Sequence, residues 1–104
     1  MTLIAVSIPV RNLERPEGFI EQARRAQSQG AGLVEWRIDT LSDPQGGIET
    51  LSSLLAESPI PSIITCRSAA EGGDWQGSDQ ERGALLTSLC GQAVPPRYID
   101  IELA

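Results

Sequence analysis

The chain has no histidine and no lysine among its 104 residues. All eight basic residues are arginines, at positions 11, 15, 24, 25, 37, 67, 82 and 97. Imidazole acid–base catalysis, the commonest kind near neutral pH, is therefore excluded within this chain. So is covalent catalysis through a lysine Schiff base. Cys66 and Cys90 are the only cysteines. With no histidine beside them, they cannot supply the roughly four ligands of a structural zinc site. They read as two free thiols rather than a disulfide. No apolar run is long enough to span a bilayer. The first residues, Met1-Thr2-Leu3-Ile4-Ala5-Val6, carry no basic leader and no cleavage signal, so a cytoplasmic protein is expected. The net charge is −6, which argues against nucleic acid and anionic membrane surfaces as partners.

What is present is enough for one small domain, residues 1–104, with one core. Four short runs rich in Ile, Val and Leu read as strands: residues 3–8, 33–38, 62–66 and 98–103. Helical patterns fill the intervals. Pro16 opens the first helix, where its missing N–H costs nothing. Phe19, Ile20, Ala23 and Ala26 then share one face, and Gly30 suits the end. A second helix starts after Asp43-Pro44 with a stripe of Ile48, Leu51, Leu54 and Leu55, and Pro59 and Pro61 stop it. The third opens on a capping box, Ser78-Asp79-Gln80-Glu81. Leu85, Leu86 and Leu89 follow, and Gly91 and Pro95-Pro96 close the segment.

The order β-α-β-α-β-α-β implies a parallel sheet with right-handed crossovers. A doubly wound domain usually has about five or more strands, and a closed barrel has eight. Four strands with no helix after the last leave bare edges that invite pairing. The expected architecture is the first half of a (β/α)8 barrel.

Charge falls where a buried strand should be apolar. In Leu33-Val34-Glu35-Trp36-Arg37-Ile38-Asp39, alternation puts Val34, Trp36 and Ile38 on one face and Glu35, Arg37 and Asp39 on the other. Tyr98-Ile99-Asp100-Ile101-Glu102-Leu103 repeats the pattern, with Asp100 and Glu102 opposite Ile99, Ile101 and Leu103. Thr65 and Arg67 share the matching parity of the third strand, and Ser7 lies near the end of the first. Burying such a face is costly unless the charges are paired or meet a polar ligand. Strand carboxyl ends are where a barrel keeps its active site. Arg37 and Arg67 can bond carboxylates bidentately, and Glu35, Asp39 and Glu102 can accept from hydroxyls. The set suits a small, anionic, polyhydroxylated ligand; the alternative is an internal ion-pair network that only holds the barrel together. The loop at 68–77 contains Glu71-Gly72-Gly73, where glycine permits a sharp turn or close approach. Trp36 is expected to pack beneath the helices. Trp75 is expected to be a lid residue or simply an exposed aromatic.

Glu35-Trp36-Arg37-Ile38-Asp39, Thr65-Cys66-Arg67-Ser68 with Glu71-Gly72-Gly73, and Tyr98 through Leu103 together resemble type I 3-dehydroquinate dehydratase. Val6-Ser7-Ile8 also fits. The resemblance covers this chain but only the first half of the family's barrel. It implies a lyase of the shikimate pathway, converting 3-dehydroquinate to 3-dehydroshikimate through a lysine Schiff base, with a histidine as acid–base and with neither metal nor separate cofactor. By that resemblance Glu35 and Arg37 are a substrate-binding pair, Ser7 and Arg67 also bind substrate, and Glu71 orients the catalytic histidine. Asp39, Thr65, Asp100 and Glu102 would support the pocket. The family's lysine and histidine are not in this chain, so it is expected to be inactive alone. Three arrangements follow: an N-terminal piece of a dehydratase, a non-catalytic half-barrel that forms a homodimer, or a subunit paired with a second chain that carries the missing half.

Overall fold

The computed structural model describes residues 4–11, 15–41, 44–75 and 77–100. Its elements run β1 (Ala5–Pro9), α1 (Pro16–Ser28), β2 (Leu33–Arg37), α2 (Pro44–Glu57), β3 (Ser62–Thr65), a 3-10 turn (Ala69–Glu71), α3 (Asp79–Cys90) and β4 (Tyr98–Asp100). The four strands form one sheet in the order β1-β2-β3-β4, with every neighbouring pair parallel. Each strand thus pairs with the next in sequence, and each crossover steps the same way across the sheet. No helix among the described residues is long and apolar enough to cross a membrane.

Local chemistry accounts for the helix ends. Pro16 occupies the first turn of α1. The far end closes in a Schellman motif: the Gly30 N–H donates to Gln27 O at 3.0 Å and the Ala31 N–H to Ala26 O at 2.9 Å. Gly30 adopts φ of +103° there, a conformation open to glycine at little steric cost. At the start of α3, the Ser78 hydroxyl accepts from the Glu81 N–H while the Glu81 carboxylate accepts from the Ser78 N–H, both at 3.1 Å. The expected capping box is formed, and the Ser78 backbone N–H, with the Ser78 side chain adding, holds the Glu81 carboxyl below its ordinary value.

One sheet face carries the core. Ile8, Val34, Trp36 and Ile64 are buried on it with Phe19, Ile20 and Ala23 of α1, Leu51, Leu54 and Leu55 of α2, and Leu85 and Leu89 of α3. Trp36 is fully buried, as expected. Its indole N–H is satisfied by the Ser62 hydroxyl at 3.0 Å, which explains how a serine sits on the helix-covered face. Leu86 and Ala26 are only partly buried at the margin of this core. Cys66 is buried, Cys90 is exposed, and neither is in a disulfide.

β2 and β3 are shorter than their apolar runs. β1 begins at Ala5 and ends at Pro9 rather than Ile8; β2 ends before Ile38 and β3 before Cys66. Ile38 still donates its N–H to Thr65 O at 2.8 Å, so the ladder ends in a turn rather than by fraying. Leu3 and residues 101–103 of the expected outer strands lie outside the described residues.

Trp75 departs from expectation. It is neither a lid nor an exposed aromatic but 4% exposed. Its indole N–H donates to Ser78 O at 2.9 Å, and it bridges to Ser68. A polar loop composition hid this, because the ring packs onto the core while its polar tip finds a main-chain acceptor.

Candidate active site

Register sorts the second sheet face into rows. Ser7 lies opposite Glu35, and Glu35 opposite Ile63, which in turn faces Tyr98. One step toward the carboxyl ends, Pro9 lies opposite Arg37, Arg37 opposite Thr65, and Thr65 opposite Asp100. The amino-terminal rows are largely apolar, with Ala5 opposite Leu33. Polar groups gather toward the carboxyl ends.

Side-chain hydrogen bonds draw four of the expected residues together. The Thr65 hydroxyl donates to Glu35 Oε2 at 2.9 Å, fixing one oxygen of that carboxylate. Arg37 reaches past the end of β2 and donates to Asp39 through two nitrogens, Nε to Oδ1 at 3.3 Å and Nη2 to Oδ2 at 2.6 Å. Asp39 Oδ2 also accepts the backbone N–H of Asp74 at 2.9 Å. Asp39 is completely buried, whereas the Arg37 side chain remains 32% exposed. A buried carboxylate is costly unless paired; here two guanidinium donors and a main-chain amide pair it.

The protonation states follow. Burial pushes the Asp39 carboxyl up, but the Arg37 hydrogen bond and the Asp74 N–H outweigh it and hold the group below its ordinary value. Arg37 is held above its ordinary value, chiefly by its hydrogen bond to Asp39, with Asp74 and Glu35 adding in the same direction against desolvation. Both groups are ionised across the physiological range. The Nη1 end of the guanidinium points away from these two bonds, and half the Glu35 carboxylate has no bond to Thr65. The face therefore offers donor and acceptor side by side, which suits a ligand rich in hydroxyls and carbonyl or carboxylate oxygens.

The loop from β3 to α3 is built to meet this corner. Gly72 has φ of +87°. The Gly73 N–H donates to Ser68 O at 2.8 Å, and a Cβ on Gly73 would collide with the Arg67 backbone. Both glycines are thus required by geometry. Arg82 of α3 ties the far side, donating to Cys66 O at 3.1 Å and pairing with Asp79 at 3.2 Å.

Of the remaining expected residues with described side chains, Ser7 and Arg67 are not drawn into the network. Ser7 is exposed in register with Glu35. Arg67 is exposed just past β3 and has no hydrogen bond or ion pair to another described side chain. Glu71 closes the 3-10 turn and Asp100 closes β4; only their backbones are described. Glu102 lies outside the described residues. The contact that sequence reasoning missed is the Asp74 amide on Asp39. A main-chain donor has no signature in residue type, and the Gly72-Gly73 pair was the only hint that the loop folds back.

Two surface grooves lie away from this corner. One of about 380 Å³ is lined by Pro61, Ser62, Val94, Pro95 and Arg97, at the amino ends of β3 and β4. The other, about 360 Å³, lies between α1 and α2 against Glu17, Ile20, Arg24 and Glu57. Neither touches the charged network. Among the described residues, no cluster of carboxylate and thiol groups could hold a metal.

The fold and the site define a parallel α/β protein of singly stepped β-α units, with a polar constellation at the strand carboxyl ends. The type I 3-dehydroquinase family model matches residues 4–104, and the chain belongs to that family. It is 39% identical over 94 residues to the 3-dehydroquinate dehydratase of Methanosarcina mazei, covering 88% of this chain and 38% of the relative. It is 37% identical over 99 residues to the same enzyme of Methanothermobacter thermautotrophicus, covering 95% of this chain and 42% of the relative. It is also similar to the bifunctional chloroplastic 3-dehydroquinate dehydratase/shikimate dehydrogenase of Arabidopsis thaliana, at 35% over 85 residues. The chain spans about two fifths of the length of the first two relatives.

Proposed function

We propose that this chain forms the substrate-binding half of a 3-dehydroquinate dehydratase, a carbon–oxygen lyase of the shikimate pathway in the cytoplasm. β1 to β4 are then the first half of a (β/α)8 barrel, and their polar rows face its interior. Glu35 and Arg37 bind the substrate from β2. Arg67 and Ser7 contribute from β3 and β1, and Glu71 orients the histidine supplied by the other half. Asp39, Thr65, Asp100 and Glu102 support the pocket.

The observation that carries this reading is the placement of Glu35, Arg37 and Thr65 near the carboxyl ends on the sheet face opposite the helix-packed core, with both charged groups held by specific partners. In a parallel sheet covered by helices on both sides, this face would be apolar. A barrel interior that receives a polar ligand accounts for it.

The chemistry divides between the halves. Glu35 accepts from substrate hydroxyls while the Thr65 hydroxyl steadies its other oxygen. Arg37 donates from its unpaired edge. The family's lysine, which forms the Schiff base, and its histidine, which moves the proton, must come from outside these 104 residues, because the chain has neither residue type.

A second reading rests on the sheet edges. Among the described residues β1 and β4 each pair on one side only, so two copies could close against one another, or a separate chain could close against this one. A homodimer would bind without catalysing, since it still contains no lysine or histidine.

The deciding experiment follows enone absorbance after 3-dehydroquinate is added to this chain, and to a protein that joins it to a complete second half. Turnover only in the joined protein, with KM raised by Arg37→Ala and by Arg67→Ala, is the expected result. Turnover by the 104 residues alone, or a KM indifferent to both substitutions, overturns the reading.

A further inference from the structure

The buried Asp39 carboxylate does more than neutralise an arginine. Its Oδ2 receives Arg37 Nη2 at 2.6 Å and the Asp74 amide at 2.9 Å. One oxygen atom therefore joins the end of β2 to the loop after β3. No water can replace either donor easily, because Asp39 is wholly buried.

The geometry points to Asp39 as a positioning residue that couples the aim of Arg37 to the folded form of the loop at 68–75. This deepens the substrate-binding reading of Arg37 and rests on it for the identity of the ligand.

Three features support the coupling. Asp39 grips the Nε and Nη2 edge of Arg37, so the guanidinium cannot rotate without surrendering both bonds. This leaves the Nη1 end as the edge free to meet a ligand. Second, Asp74 is not a freely placed donor. Gly72 in its left-handed conformation, the Gly73 bond to Ser68 O and the buried Trp75 on its other side set its position. Third, the coupling is reciprocal. If the loop opens, Oδ2 loses a donor while still buried, and the carboxylate holds Arg37 in a less satisfied site. If Arg37 is drawn away, the loop loses the charged acceptor that anchors Asp74.

The consequence concerns specificity. A guanidinium already paired with a carboxylate carries little net charge to its next partner. Arg37 therefore recognises its ligand by the direction of its N–H bonds, as a hydroxyl or carbonyl oxygen requires, more than by bulk attraction for an anion. A ligand engaging Nη1 holds the arginine on Asp39 and, through it, the loop.

Amide hydrogen exchange on the full chain tests this. In the unsubstituted chain the Asp74 amide should exchange at least about tenfold more slowly than an open backbone amide, as a charge-assisted bond to a buried carboxylate requires. Asp39→Asn and Arg37→Ala should each remove most of that protection, while the Ala23 amide in α1 stays protected. Asp39→Asn should also shift the Arg37 Nε–H resonance, a signature that loop anchoring alone would not move. An unprotected Asp74 amide in the unsubstituted chain overturns the proposal, and so does Arg37→Ala leaving that amide unchanged. If Asp39→Asn does not fold, the unsubstituted chain and Arg37→Lys, which keeps the charge, decide between the same outcomes. Adding 3-dehydroquinate is a separate arm. Further slowing at Asp74 supports both the coupling and the ligand. No change, with the effects of the substitutions intact, overturns the ligand and leaves the coupling standing.

Discussion

The indole N–H of Trp36 on β2 donates to the hydroxyl of Ser62 on β3 at 3.0 Å, beneath the helices and out of contact with solvent. Cross-strand register sets Trp36 beside Ile64 and Val34 beside Ser62, so the bond runs diagonally across the strand pair. It lets one of the two tryptophans of the core be buried without an orphaned donor. Ser62→Ala should cost about 1–3 kcal/mol, the penalty for a buried donor left unsatisfied. Urea denaturation of the two chains measures it, and an unchanged midpoint would show that the bond contributes nothing net.

The Asp39 carboxyl is held below its ordinary value of 3.8. The unfolded chain therefore takes up this proton at higher pH than the folded one does. The stability this group contributes is fully present above the ordinary aspartate value, and it is lost as pH falls through the lower folded value. Unfolding free energy should thus decline below about pH 4, where an ordinary aspartate protonates. Asp39→Asn should flatten that limb of the profile. Urea melts at neutral pH and at successively lower pH check both statements.

The loop glycines should differ in their tolerance. Gly72 has open space for a Cβ but a φ of +87°, so Gly72→Ala should cost roughly 1–2 kcal/mol of backbone strain. At Gly73 the added carbon would overlap the Arg67 backbone. Gly73→Ala should therefore cost more, and should displace Arg67. Thermal melts of the two variants rank them, and equal melting temperatures would refute the ordering.

Thr65 is buried and spends its hydroxyl on Glu35. Thr65→Val keeps the shape and removes the donor. Affinity for 3-dehydroquinate in the joined protein should fall by several-fold, in line with roughly 1 kcal/mol for one hydrogen bond. The expectation fails if calorimetric titration gives the same affinity for both.

Core packing should be least forgiving where the helices meet the sheet. Leu51 and Leu89 are fully buried on α2 and α3. Leu51→Ala should destabilise by about 2–5 kcal/mol through lost transfer energy and a residual cavity. Leu86→Ala, at the partly exposed margin, should cost clearly less. Denaturant titration of both compares them directly.

Local chemistry made much of the fold legible. Pro16, the turn at Gly30 and the Ser78–Glu81 box mark helix ends because their causes act within a few residues. Alternation alone assigned Val34 and Trp36 to one face and Glu35 and Arg37 to the other, because strand geometry leaves no choice. The misread positions depended on core packing and on main-chain partners, such as the Ser78 carbonyl three residues from Trp75, rather than on residue type. Trp75 is buried because Ser78 and the core happen to receive it, and a polar loop composition cannot announce that. The ends of β2 and β3 were overestimated because an apolar run does not mark where the strand itself stops.

The sequence by itself determined the order of elements, the apolar and charged faces, the absence of lysine and histidine, and the family. Those are matters of residue type, period and spacing. Only the tertiary structure decided how the charges are used. It paired Arg37 with Asp39, gave Glu35 the Thr65 hydroxyl, left Arg67 exposed, and brought the Asp74 amide from 35 residues away onto Asp39. Such pairings depend on where the chain returns in space, and a backbone N–H looks the same in every residue but proline.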